Sequence, residues 1–143
     1  MVERASMNIL IVDDCQADSK LLQLWLRDCR AIGSVNHATT GGAALQYIRA
    51  EGEFDNRVRP NLVLLDSHLP DMHGLDVLEE LKSRPEFADI AVLVLSGTYH
   101  ENDELRARQL GALEYRIKPF EADDFEAFVR RIEEFWTGAS GVA

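Results

Sequence analysis

Short runs of consecutive apolar residues alternate with amphipathic stretches five times along the chain. That alternation is the pattern of a parallel sheet whose strands are buried on both faces beneath helices. The clearest runs are Asn8-Ile9-Leu10-Ile11-Val12, Leu62-Val63-Leu64-Leu65 and Ile90-Ala91-Val92-Leu93-Val94-Leu95. A weaker strand is expected around Val35 to Ala38 and a fifth from Leu113 to Ile117. After the first strand Leu22, Trp25, Leu26 and Cys29 recur at helical spacing, and Gly33 is expected to close that helix. Ala44, Leu45 and Ile48 mark a second helix, and Leu75, Val77, Leu78 and Leu81 a third. A fourth is expected from about Glu101 to Leu110, ended by Gly111. The last runs from about Ala122 to Trp136, with Phe125, Phe128, Val129, Ile132 and Phe135 in one apolar stripe. The stretch from Glu51 to Pro60 reads as a polar connection into strand three.

The residues that end these runs carry the candidate chemistry. Open α/β sheets bind ligands in the crevice beyond the carboxyl ends of their strands. There the chain places Asp13-Asp14, Asp66, Ser96-Gly97-Thr98, and Lys118 followed by Pro119. Taken singly, Asp66 serves equally well as a helix N-cap or loop aspartate, Lys118-Pro119 as a surface turn and Tyr115 as an ordinary strand aromatic. Taken together, three carboxylates, a hydroxyl and an ammonium at strand exits describe a site for a divalent cation and a transferred phosphoryl group. Carboxylates within ~5 Å repel by about 3 kcal/mol per pair at an effective dielectric near ~20, so the cluster calls for a cation. Magnesium fits best, because it takes hard oxygen ligands and normally uses one or two carboxylates plus phosphate oxygens. An ionised aspartate is already nucleophilic, so Asp66 needs charge cancellation from the cation and Lys118 rather than a general base.

Composition narrows the rest. A chain of 143 residues, 46% hydrophobic and 28% charged, fits one globular domain with a real core. A net charge of -10 argues against a nucleic-acid-binding surface, which needs clustered Lys and Arg. No apolar stretch approaches the ~20 residues that span a bilayer, and the first residues lack a signal-peptide core, so a cytoplasmic location is expected. Cys15 and Cys29 form no CxxC pair and are expected to be reduced.

At these motifs the chain resembles the receiver domains of two-component response regulators. The likeness runs from about Met7 to Trp136. It rests on Ile-Val-Asp13-Asp14, Leu-Leu-Asp66-Ser-His-Leu-Pro70-Asp-Met-His-Gly74, Val-Leu-Ser96-Gly, and Gly111-Ala-Leu-Glu-Tyr115-Arg-Ile-Lys118-Pro119-Phe, in that order. The long Gly52 to Pro60 connection and the closing Phe135-Trp136 are closer to the small receivers that partner bacterial phytochrome kinases. The resemblance implies a doubly wound, five-stranded parallel sheet of order 2-1-3-4-5, the flavodoxin-like receiver fold. It implies a phosphoacceptor response regulator rather than an enzyme, taking a phosphoryl group from a sensor histidine kinase onto Asp66. By the same likeness, Asp14 and Asp66 bind Mg2+ directly, Asp13 through water, and the backbone carbonyl of His68 adds an oxygen. Lys118 and Ser96 contact the phosphoryl group, and Ser96 and Tyr115 form the switch. A cis peptide joins Lys118 to Pro119, and His68 and Thr98 tune the lifetime of the mark.

Other readings fit less well. A phosphatase of the haloacid dehalogenase type wants a second aspartate two residues after the nucleophile, where this chain has His68. A flavin phosphate is repelled by Asp13-Asp14. A docking module that has lost phosphorylation is disfavoured because every acceptor-site residue is present. His68 and His73 across Pro70 match no zinc motif and read as solvated loop histidines. Residues 1–6 and 137–143 are expected to be flexible ends around a receiver at 7–136, with no output domain. The signal would then leave by contact with another protein, through a homodimer on the helix 4, strand 5 and helix 5 face, or onward as a phosphorelay intermediate or phosphate sink.

Overall fold

The computed structural model describes residues 6–118 and 121–139. Five parallel strands, β1 (Met7–Val12), β2 (Ile32–Ala38), β3 (Leu62–Asp66), β4 (Ala91–Ser96) and β5 (Glu114–Ile117), lie in the order β2-β1-β3-β4-β5. The sheet reverses direction of travel between β1 and β3, and the crevice there opens above Val12 and Leu65, which are register partners.

Period-two alternation divides the three central strands between two cores. Leu10, Val12, Val63, Leu65, Val92 and Val94 face helices α2 (Gly41–Ile48) and α3 (Gly74–Lys82). Met7, Ile9, Ile11, Leu62, Leu64, Leu93 and Leu95 face α1 (Gln16–Arg27) and α5 (Ala122–Ala139). Trp25 of α1 stacks on Phe125 of α5 at 4.9 Å between ring centres, which ties the two helices of that layer together.

Two boundaries differ from the sequence expectation. Gly33 does not close α1, which ends at Arg27 with Asp28 as C-cap; it lies inside β2. A Cβ on Gly33 would meet the Ser6 side chain at 2.4 Å, so the glycine answers a close approach of the chain rather than a helix end. The strand is hard to read because it is an edge, with polar Ser34, Asn36 and His37 among its residues. At the other end α5 continues to Ala139, past Trp136, and the Thr137 hydroxyl donates back to Glu133 O at 2.9 Å.

The polar connection before β3 is held to α2. Arg57 donates to the carbonyls of Tyr47 and Ile48 at 2.9 and 2.7 Å, covering the helix's C-terminal end. The Tyr47 hydroxyl donates to Val58 O at 2.9 Å.

Helix α4 (Glu101–Gln109) is the least embedded element of the sheet's cover. Ala107 is its one buried side chain, while Leu105 is exposed. Arg106 reaches Asp76 and Glu79 of α3 at 2.7 Å each, and His73 Nε2 lies 3.6 Å from Asp103. Among the described residues, no helix is long and apolar enough to cross a membrane.

Candidate functional site

The carboxyl edge of the sheet assembles the residues that the sequence singles out. Asp13 follows β1 and is buried; its Oδ1 accepts from the Cys15 amide at 2.8 Å, and its carbonyl meets His37 Nε2 at 2.8 Å. Asp66 ends β3, also buried, with Oδ1 accepting from the His68 amide at 3.1 Å. Asp14 is exposed beside them. One oxygen from each of Asp13, Asp14 and Asp66 lies within 4.8 Å of the others.

The loop that carries Asp66 is anchored at both ends. Gly74 packs the start of α3 onto the end of β3: its amide donates to Ser67 O at 2.8 Å, and a Cβ there would stand 2.1 Å from Asp66 O. Asp71 accepts from the amides of Gly41 and Gly42 at 2.8 and 2.9 Å, which seats the loop on the N-terminus of α2. Those two bonds hold the Asp71 carboxyl below the usual carboxylate range.

Lys118 comes from the end of β5, where its amide donates to Ser96 O at 2.8 Å. Its ammonium donates to Asp13 and Asp18 at 3.0 Å each and to Asp66 at 3.2 Å. Burial opposes the charge of Lys118, but hydrogen bonds to Asp13 and Asp18 and the field of Asp66 overcome it, and the ammonium is held above its ordinary pKa. Burial pushes Asp13 upward against the pull of the Cys15 amide and Lys118, with Asp66 adding to the push. A buried carboxylate whose desolvation one lysine does not offset, in a set of hard oxygen donors, fits a divalent cation.

Ser96 ends β4, fully buried, and its hydroxyl donates to Thr98 O at 2.5 Å. The Tyr115 hydroxyl donates to that same carbonyl at 3.4 Å and accepts from the His100 amide at 3.2 Å. The Thr98 hydroxyl pairs with His100 Nε2 at 2.9 Å. Thus Ser96 and Tyr115 meet at the Thr98 carbonyl, while Asp13, Asp14, Asp66 and Lys118 meet at the carboxyl ends of β1, β3 and β5. The peptide between Lys118 and Pro119, expected to be cis, lies outside the described residues.

His68 stands over the loop with its ring centre 5.3 Å from His73 and 5.9 Å from His100. The three rings do not read as a metal centre. His73 Nδ1 accepts from the Leu75 amide at 3.1 Å as the N-cap of α3, so its neutral ring carries the proton on Nε2, facing Asp103.

Two contributors escape the sequence reading. Asp18 looks like an ordinary acid in the first turn of α1, yet it is a direct partner of Lys118. Asp71 looks like a turn residue and acts as a cap supplied from outside the helix.

Residues 9–130 match the response regulator receiver domain model. The response regulator Rcp1 of Synechocystis sp. is 36% identical over 128 residues, covering 90% of this chain and 87% of that protein. The Mn(2+)-bound form of Rcp1 superposes with a TM-score of 0.82 at 35% identity, over 91% of this chain and 94% of the other. The phosphorylated cyanobacterial phytochrome response regulator RcpA gives 0.85 at 36% identity, over 94% and 96%. A match of that extent, on a sheet that gathers the motif aspartates at its carboxyl edge, makes this chain a member of the response regulator receiver domain family.

Proposed function

We propose that Asp66 is the phosphoacceptor of this response regulator, with Mg2+ as the cation and a sensor histidine kinase as the donor. The observation that carries the reading is the Lys118 ammonium, held 3.2 Å from Asp66 beside a three-carboxylate cluster. In the reaction an Asp66 oxygen forms a bond to phosphorus while the bond from phosphorus to the donor breaks, and the donor leaves with its electron pair. Asp14 and Asp66 would hold the cation directly and Asp13 through water, with the His68 carbonyl as a further oxygen, and a cation held there would supply positive charge to offset the charge of the phosphoryl oxygens. Lys118 neutralises the remainder, and Ser96 donates to one more oxygen after leaving Thr98 O. Hydrolysis of the acyl phosphate resets the site, with His68 and Thr98 placed to govern the approach of water.

The likeness to RcpA supports a phytochrome-type kinase as donor, and the setting of the proposed exchange is the cytoplasm. The output surface is the face of α4, β5 and α5. It exposes Leu105 and Ile117 amid the ion pairs Glu104–Arg108, Glu114–Arg116 and Glu114–Arg131. Mixed charge around apolar residues suits a self-complementary interface, so a homodimer is the output form that this face supports. Service as a relay intermediate or phosphate sink uses the same acceptor chemistry.

Incubation with acetyl phosphate and Mg2+, followed by intact mass measurement, should add one phosphoryl group to the wild-type protein and none to Asp66→Asn. Equal labelling of the variant would overturn the assignment.

A further inference from the structure

The Lys118 ammonium has three N–H donors and three carboxylate acceptors, on Asp13, Asp18 and Asp66. Two of those acceptors, Asp13 and Asp66, also belong to the cluster that fits a divalent cation. A cation there draws on the same oxygens and places like charge beside the lysine. Asp18 lies outside that cluster. Its carboxylate is mostly buried, with 21% of the side chain exposed, and the Lys118 side chain is 8% exposed, so the pair is shielded from solvent screening.

We infer that Asp18 is a positioning residue that keeps the Lys118 ammonium at the acceptor when a cation occupies the aspartate cluster. The inference rests on the reading of Asp66, Lys118 and the cation site given above. In the cation-free site Lys118 is hydrogen-bonded to Asp13 and Asp66 as well as to Asp18. When a cation draws on those two, Asp18, outside the cluster, still offers the ammonium a carboxylate and so holds it in place. The first turn of α1 favours this: Cys15 makes no side-chain cap, and the helix N-terminus stabilises the Asp18 carboxylate on the side facing Lys118. An acid in a first turn is also a common helix stabiliser. That ordinary role acts on helix stability and does not depend on the cation, which separates the two.

The test reads the lysine itself. In nitrogen-15 spectra that detect side-chain ammonium groups, the Lys118 signal, assigned by its loss in Lys118→Ala, should be protected from water exchange in the wild type with and without Mg2+. In Asp18→Asn the protection should persist without Mg2+ and collapse when Mg2+ is added. Asp18→Glu, which keeps the charge, should restore part of it. At saturating Mg2+ and acetyl phosphate, Asp18→Asn should be phosphorylated about tenfold more slowly. Cation binding is followed in parallel by the Asp14 and Asp66 amide shifts, so a failed metal site is distinguishable from a failed hold on the lysine. Protection of Lys118 that survives Mg2+ in Asp18→Asn, or an unchanged rate at saturation, would overturn the inference.

Discussion

The hydroxyls of Ser96 and Tyr115 donate to one acceptor, the carbonyl oxygen of Thr98, at 2.5 and 3.4 Å. Ser96 holds the closer position. On the proposed reading Ser96 would turn to a phosphoryl oxygen on Asp66 and leave the carbonyl to Tyr115, which would link Asp66 to the α4–β5 surface through a shared atom. Ser96→Ala should therefore draw the Tyr115 hydroxyl onto Thr98 O in the unphosphorylated protein, while slowing phosphoryl uptake by about tenfold or more. A crystal structure of the variant with Tyr115 unmoved would break the link.

Gly74 should tolerate no side chain. A Cβ there stands 2.1 Å from Asp66 O and 2.9 Å from Ser67 Cα, both backbone atoms that cannot swing aside. Gly74→Ala should cost about 1–3 kcal/mol in denaturant unfolding and disturb Asp66 as well. Full stability together with wild-type phosphorylation would show that the loop yields more readily than this packing implies.

Asp71 gives a stability signature at low pH. Its carboxyl is lowered from 3.8 by the amides of Gly42 and Gly41, so its folded pKa is below its unfolded one. The contribution is therefore present above that ordinary value and lost as pH falls through the folded pKa. Asp71→Asn should melt below the wild type at neutral pH, and the difference should shrink under strongly acidic conditions. A gap that is constant with pH would point to lost contacts rather than lost charge.

His68 should govern decay more than uptake. Its amide serves Asp66, a role that any residue supplies, whereas its ring stands with His73 and His100 over the loop. Removing the ring opens that side to water. The His68→Ala phosphoprotein should lose its label several-fold faster, followed by intact mass over time; decay at the wild-type rate would remove the ring from this role.

The α4–β5–α5 face should self-associate when the site is charged. Sedimentation across a range of concentrations, with and without beryllofluoride, should show a dimer favoured by the mimic. A monomer in both states would leave docking to a different protein as the output.

The strands were legible because Leu62–Leu65 and Ile90–Leu95 are buried on both faces, which forces unbroken apolar runs. Asp66, which ends the first of these runs, was legible only in company with Asp13, Asp14, Ser96 and Lys118 at the other strand exits, since alone it reads as well as a helix cap or a loop acid. Gly33 misled because a glycine marks close approach as readily as it marks a helix end, and sequence spacing does not tell the two apart. Asp18 and Asp71 were illegible because their partners, Lys118 and the Gly41 and Gly42 amides, are 100, 30 and 29 residues away in the chain. Local pattern carries the elements of this fold, while long-range pairing decides which acids act in the site.

The weak embedding of α4 sets the scale on which the molecule responds. With Ala107 as its one buried side chain, the helix is joined to α3 at the surface by Arg106 on Asp76 and Glu79. Exposed ion pairs of that kind contribute about 0–1 kcal/mol each and fade with salt. A helix so lightly moored should shift at little cost, within reach of the bonds that would rearrange around one phosphoryl group. The same looseness makes ionic strength a second input: rising salt, with no phosphoryl group present, should weaken the hold of α3 on α4 by screening the Arg106 pairs.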